Sequence, residues 1–386
     1  MGADELVFIT VVLVRLGVPL LIPRYALPAI LAALVVDAAD QTIFQAYTDL
    51  NLDGYQSYDK ALDVYYLTIA YLATVKNWSD PLAFKTAQFL WYYRLVGVLL
   101  FELFEARALL LVFPNTFEYF FIFYEAVRTS WDPRRLTGRQ VIGAAAAIWV
   151  FIKLPQEWWI HIAQRDVTDT LKEDILGVTV ATPWGEALGQ NLWFVGLVVA
   201  LAAVAAIAVR AALPHLPPTD WRFTLDVDAH LDRPDVPERI VRIPVVSWYV
   251  AEKVALTTMI AVIFSQIIPG NEATPLQTAI GVGAVVVASA AVSQWLAARG
   301  TTWRSTATEL TGMVVVNGAL TIGYLAFLRS SDRPINEAAT AFFVLLFTIV
   351  ITLFDRFHRQ RWATWGDRSP LARRRERLRP AEPVAG

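Results

Sequence analysis

The feature that most constrains this chain is the recurrence of apolar runs close to twenty residues long. A helix of that length spans the roughly 30 Å hydrocarbon core of a bilayer, at about 1.5 Å per residue. Windows of this kind lie at 5–22, 26–45, 61–78, 82–103, 107–127, 140–163, 190–213, 246–268, 275–298, 308–328 and 337–355. The reading is an all-α, polytopic integral membrane protein of about eleven transmembrane helices, resident in the cell membrane. The runs at 190–213, 275–298 and 337–355 are clean, whereas the second to sixth are interrupted by charges. Only 18% of the 386 residues are charged, against about 25% in soluble domains. Asp4 and Glu5 stand where a signal peptide carries lysines, so the first run is expected to be retained as a span.

Loop charge sets the expected orientation. Arg128, Arg134, Arg135 and Arg139 crowd the segment after span five, Arg299 and Arg304 follow span nine, and the tail beyond 355 holds nine arginines. These segments should be cytoplasmic. Segment 164–189 has five acids against Arg165 and Lys172, and 46–60 has three against Lys60, so both should face outward. Eleven spans with the N-terminus outside and the C-terminus inside satisfy every loop. The chain then divides into a polar-cored bundle (1–165), an outer acidic loop (166–189), span seven (190–213), a cytoplasmic insert (214–245), an apolar bundle (246–355) and a basic cytoplasmic tail (356–386). In the insert, the alternation of Trp221, Phe223, Leu225, Val227 and Ala229 predicts a short strand. The tail reads as a topology determinant that can also rest on anionic lipid headgroups.

A charge at bilayer depth costs about 2.5–3.5 kcal/mol on insertion scales, so such residues face the bundle and find partners. Eight polar residues fall within spans two, four, five and six: Asp37, Asp40, Gln41, Arg94, Glu118, Lys153, Glu157 and His161. Asp37, Asp40 and Gln41 share one helix face, as do Lys153, Glu157 and His161 around Pro155. Arg94 and Glu118 are expected to pair at similar depth. Lys153 is expected to reach Glu157 or Asp37, and Pro114 to kink span five and free a carbonyl. Together the eight should line a polar cavity opening outward, whether as a proton relay or as a substrate cavity. Their alternative role is to staple helices together.

Between spans two and three runs D-x-N-x-D-G, formed by Asp49, Asn51, Asp53 and Gly54. With the Tyr55 carbonyl and Ser57 it supplies the early oxygen positions of a calcium loop. The stretch of about a dozen residues resembles the EF-hand and dockerin-type loop. The resemblance implies a Ca²⁺ ion over residues 49–60, pinning the loop over the cavity. Position 12 is Lys60, so the closing carboxylate would have to come from Asp59 or Asp63. The other reading is an acidic turn. Tyrosines and tryptophans around spans three, four and six form an interface belt, or platforms for a lipid-linked glycan.

No cysteine is present, which excludes disulfides, thiolate metal sites and a cysteine nucleophile. No phosphate-binding G-x-x-x-x-G-K-[ST] loop and no H-E-x-x-H motif occur. The expected function is an ion- or proton-coupled transporter or permease for a small molecule, ion or lipid, with the bilayer as surroundings and no nucleic-acid partner. The alternatives are a membrane-embedded enzyme acting on a lipid or lipid-linked substrate at the outer leaflet, and a non-catalytic scaffold or assembly subunit.

Overall fold

The computed structural model describes residues 3–47, 55–165, 169–230, 248–267, 274–298 and 337–365, together with 312 and 315. All regular structure among them is helical. The long helices are α1 (Ala3–Gly17), α2 (Ala26–Tyr47), α3 (Tyr55–Asn77) and α4 (Pro81–Phe104). Span five is not one helix but two, α5 (Ala108–Val112) and α6 (Thr116–Arg128), because Pro114 interrupts the backbone ladder between them. Span six runs from α7 (Gly138–Ala147) to the single turn α8 (Leu154–Glu157). Wide π turns flank α8 at Ile148–Lys153 and Trp158–Ile162. Pro155 has no N–H to give, and the helix widens around it. Then follow α9 (Trp184–Gln190), α10 (Leu192–Ala212), α11 (Trp248–Ile267), α12 (Pro275–Ala298) and α13 (Glu337–Trp365).

Local chemistry sets several of the helix ends. The Asp80 side chain accepts from Leu82 N and Pro81 opens α4, an arrangement that satisfies an otherwise orphaned donor. Thr137 and Gln140 form a capping box at the start of α7.

α3 is the axis of the bundle. Every residue from Ala61 to Trp78 except Asp63 and Lys76 is buried, against α1, α2, α4, α6, α11 and α13. Trp78 stacks on Phe121 and also packs against Phe120, edge-on, and Tyr124, and Tyr71 lies on Trp91, which meets Phe117. α10 is the opposite case. None of its residues in the window Leu192–Ala211 is buried, and it makes its contacts chiefly with α9 and the turn that follows it. Among the described residues, Pro81–Phe104 and Leu192–Ala211 are the two helices long and apolar enough, by length and composition, to cross a membrane.

Among its described residues, 214–230, the insert forms no strand. Residues 216–226 are irregular and end in the 3-10 turn Val227–His230. Their backbone donors go to helix ends instead of a neighbouring strand: Asp220 N to Ser130 O and Thr224 N to Thr129 O, each at 3.0 Å, and Val227 N to Arg24 O at 2.9 Å. Val227 is therefore buried while Phe223, on the same alternation, is exposed. Side chains add Trp131 Nε1 to Pro217 O, Trp221 Nε1 to Arg128 O, and the ion pairs Arg24–Asp226, Lys76–Asp228 and Arg135–Asp220. Arg361 of α13 donates to Val75 O and Trp78 O at the same end. In the loop beside the insert, hydrogen bonds from the Arg134 guanidinium hold the Asp132 carboxyl below its ordinary range.

Candidate functional site

The polar residues of the first half form two adjoining clusters. The first is built on Arg15, which the sequence reading passed over although it interrupts an apolar span. Its guanidinium donates to Asp37 and Asp40 of α2, and to Asp63 of α3 at 3.0 Å. The i, i+3 spacing of Asp37 and Asp40 presents both to α1, so one cation faces three carboxylates. Arg15 and Asp40 are buried.

The second cluster surrounds the two breaks. Tyr66 donates to Glu118 Oε1 at 2.5 Å, and Asn115 Nδ2 to Glu118 Oε2 at 2.9 Å. Lys153 Nζ lies 3.6 Å from Glu118 and 4.0 Å from the centre of the Tyr119 ring. Glu157 Oε1 accepts from the Asn115 backbone N–H at 3.1 Å, and its Oε2 meets His161 Nε2 at 2.9 Å. Glu118, Lys153 and Glu157 are all buried. Two polar atoms in this cluster, Asn115 Oδ1 and Thr116 Oγ1, are buried with no hydrogen-bond partner.

The pairing differs from that expected by depth. Arg94 reaches Glu157, at 4.0 Å, and Glu118 is met by Lys153. The π turns on either side of α8 change the helical register. They turn Lys153 and Glu157 inward together, while Phe151 and Trp158 face outward. The break at Pro114 frees carbonyls, and α4 takes them up: Arg94 donates to Phe113 O at 3.1 Å and Tyr93 to Val112 O at 2.9 Å. Proline supplies the break and arginine supplies the donor that the free carbonyl requires.

Gln41 lies on α2 next to Asp40. Asp49, Asn51 and Asp53 of the calcium-like stretch fall outside the described residues, and Tyr55, Ser57 and Asp59 belong to the first turns of α3. Among the described residues no group of three or more His, Asp or Glu side chains is arranged to hold a metal ion.

The groups the sequence reading missed are Arg15, Asn115 and the cluster-forming roles of Asp63 and Tyr66. A lone arginine inside VFITVVLVRLGVPLL is a signal in itself, since a charge there needs acidic partners. Asp63 and Tyr66 were obscured by context: one resembles a helix-start acid beside the calcium-like loop, the other one more belt aromatic. Among the described residues the two clusters bring Asp37, Asp40, Asp63, Glu118 and Glu157 together with Arg15, Arg94, Lys153 and His161. No protein family, curated protein or solved structure matches this chain.

Proposed function

We propose that the chain is a multi-pass integral membrane protein acting as an ion- or proton-coupled permease. Its coupling groups are the carboxylates of the two clusters above. The carrying observation is their placement: among the described residues, Asp37, Asp40 and Asp63 meet the Arg15 guanidinium, while Glu118 and Glu157 meet Lys153, Arg94 and His161 at the two helix breaks. Carboxylates gathered at depth in a bundle are groups that can exchange protons or cations, and such exchange is what couples a carrier to an ion gradient. Asn115 Oδ1 and Thr116 Oγ1, beside Glu118 and Glu157, are free to bind a polar substrate.

The membrane reading rests on polarity. α10 is bare and, apart from Arg210 in its last turn, apolar, while charged side chains are gathered within the bundle. The proposed orientation draws support from the end of the bundle where Arg24, Lys76, Arg128, Arg135, Arg361 and the insert meet. That end carries the loops whose arginine content marks them as cytoplasmic. The lipid bilayer is the surrounding partner, with anionic headgroups at the arginine-rich tail.

A second reading, a membrane-embedded enzyme on a lipid or lipid-linked substrate, draws on the Glu157–His161 pair. A carboxylate 2.9 Å from an imidazole is a general-base arrangement, and Lys153 and Arg94 nearby would hold an anionic headgroup. The deciding experiment screens purified protein by thermal shift against metabolites, then follows uptake of the hits into proteoliposomes under an imposed pH gradient. Uptake that collapses with the gradient, and in Glu118→Gln, supports the permease. Gradient-independent behaviour, with a lipid species accumulating in a deletion strain, supports the enzyme instead.

A further inference from the structure

The break in span five leaves more than free carbonyls. Asn115 and Thr116 stand at its end, where α6 begins, and are 9% and 1% exposed. Asn115 directs two donors to carboxylates, its backbone N–H to Glu157 at 3.1 Å and Nδ2 to Glu118 at 2.9 Å. An ionised carboxylate only accepts, so the orientation of this amide is fixed. Nδ2 must face Glu118, and Oδ1 is turned away from it. Among the described residues Oδ1 has no hydrogen-bond partner although it is buried, and the same holds for the Thr116 hydroxyl, next in the chain. A third such group is close by. Trp91 of α4, 1% exposed, packs with its ring centre 5.6 Å from that of Phe117, and its indole N–H is likewise buried without a partner.

The charged groups around these three are matched with one another. Lys153 Nζ is 3.6 Å from Glu118 Oε2, and Arg94 is 4.0 Å from Glu157 Oε1. His161 Nε2 lies 2.9 Å from the other oxygen of Glu157, and Tyr66 donates to the other oxygen of Glu118. The buried groups without partners are neutral: an amide oxygen that accepts, an indole N–H that donates, and a hydroxyl that does either. Each is costly to bury unsatisfied, above all at membrane depth. A ligand carrying both donors and acceptors relieves that cost. A charged ligand would first have to break one of the ion pairs, leaving its partner uncompensated.

We propose that the substrate held at this break is a small uncharged molecule. Its hydroxyl or amide groups donate to Asn115 Oδ1 and Thr116 Oγ1 and accept from Trp91 Nε1. The assignment rests on the permease reading and names the substrate class of that same site. Coupling ion and cargo are then held by different atoms: carboxylate oxygens for the one, neutral groups at the break for the other. Binding makes and breaks hydrogen bonds only.

The test is saturable binding of tritiated probes to the full-length protein in lipid nanodiscs, with no gradient imposed. The uncharged probes are erythritol, xylitol and acetamide; the charged ones are glutamate, choline and glycerol 3-phosphate. At least one uncharged probe should bind, and an excess of the charged probes should not displace it. Thr116→Val keeps the shape of the side chain, removes the hydroxyl and should weaken that binding about tenfold, as the loss of one hydrogen bond does. Trp91→Phe removes the indole N–H and should act alike; it decides the matter if Thr116→Val yields no monodisperse protein. Failure of every uncharged probe to bind, unchanged affinity in both variants, or binding of a charged probe in place of the uncharged ones overturns the assignment. Because binding is read without a gradient, the two readings fail separately. A permease for an anion or cation would fail here and pass the uptake assay, and a neutral-ligand site without coupled uptake would do the reverse.

Discussion

α3 and α10 have exchanged the roles that helices take in water. α3 is surrounded on all sides, yet it carries Asp63, Tyr66, Tyr71, Lys76 and Asn77, each engaged by a partner on another segment. α10 touches little and presents ten large apolar side chains outward, from Leu192 to Val209. Were water the solvent, leaving those groups uncovered would forgo roughly 1.5–3 kcal/mol each. A helix apolar all round belongs either in a core or in lipid. The difference teaches that polar recognition organises the inside of this bundle, whereas α10 needs only the right solvent.

The comparison breaks most severely at Arg15. Replacing it with alanine removes the guanidinium that Asp37, Asp40 and Asp63 share. Removing one partner of a buried ion pair costs about 3–5 kcal/mol. Arg15→Ala should therefore fail to accumulate as a monodisperse protein in detergent, as read by size-exclusion profile and melting temperature. Adding Asp40→Asn should recover part of the loss. If the single variant melts like wild type, the interior ion cluster is not what holds α1, α2 and α3 together.

Next in size is a charge on α10. Val204 is 62% exposed. In water Val204→Arg would change stability by less than about 0.5 kcal/mol, as surface substitutions do. In lipid the same arginine near mid-helix should cost about 2.5–3.5 kcal/mol of insertion. Membrane-fraction yield decides between them, and an undiminished yield would remove α10 as evidence for a bilayer.

How far the sequence revealed this arrangement varied with the residue. Among the described residues helix positions were readable because apolar runs of the right length leave few alternatives, and Pro114 and Pro155 announced the two breaks, while the run at 308–328 lies outside the described residues apart from 312 and 315. Partners were not readable. Depth alone paired Arg94 with Glu118, but two π turns in span six shift register in a way that no spacing rule registers. Glu252 and Lys253 are adjacent in the chain and drew no notice in the sequence. The structure sends them to different helices. The insert misled in the opposite sense, since its alternation is real but among the described residues no second strand is there to use it.

A smaller effect sharpens the picture at the kink. Gly97 of α4 lies against Phe113, and a β-carbon added there would collide with the Phe113 side chain. Overpacking of this kind typically costs 1–3 kcal/mol. Gly97→Ala should lower the melting temperature and push Phe113 away, weakening the Arg94 bond to its carbonyl. A fall in stability without any change in ion or substrate binding would make the kink a purely structural feature.

The smallest expected effect lies in the loop around Asp132. The Asp132 carboxyl is held below its ordinary range, first by the side-chain hydrogen bond from Arg134 and also by the Arg134 backbone N–H. A depressed aspartate contributes stability above its unfolded pKa, near 3.9, and the contribution is lost as the pH falls through the lower folded value. For a solvent-screened pair this amounts to about 1 kcal/mol or less. Asp132→Asn should therefore remove a slight acid sensitivity below about pH 4 and leave neutral-pH melting almost unchanged. Because Asp132 N also donates to Asp220 at 2.7 Å, hydrogen exchange in residues 217–228 should rise in the same acid range. Equal protection at low and neutral pH would mean that the insert is held by its backbone bonds and buried Val227, with surface charge contributing nothing measurable.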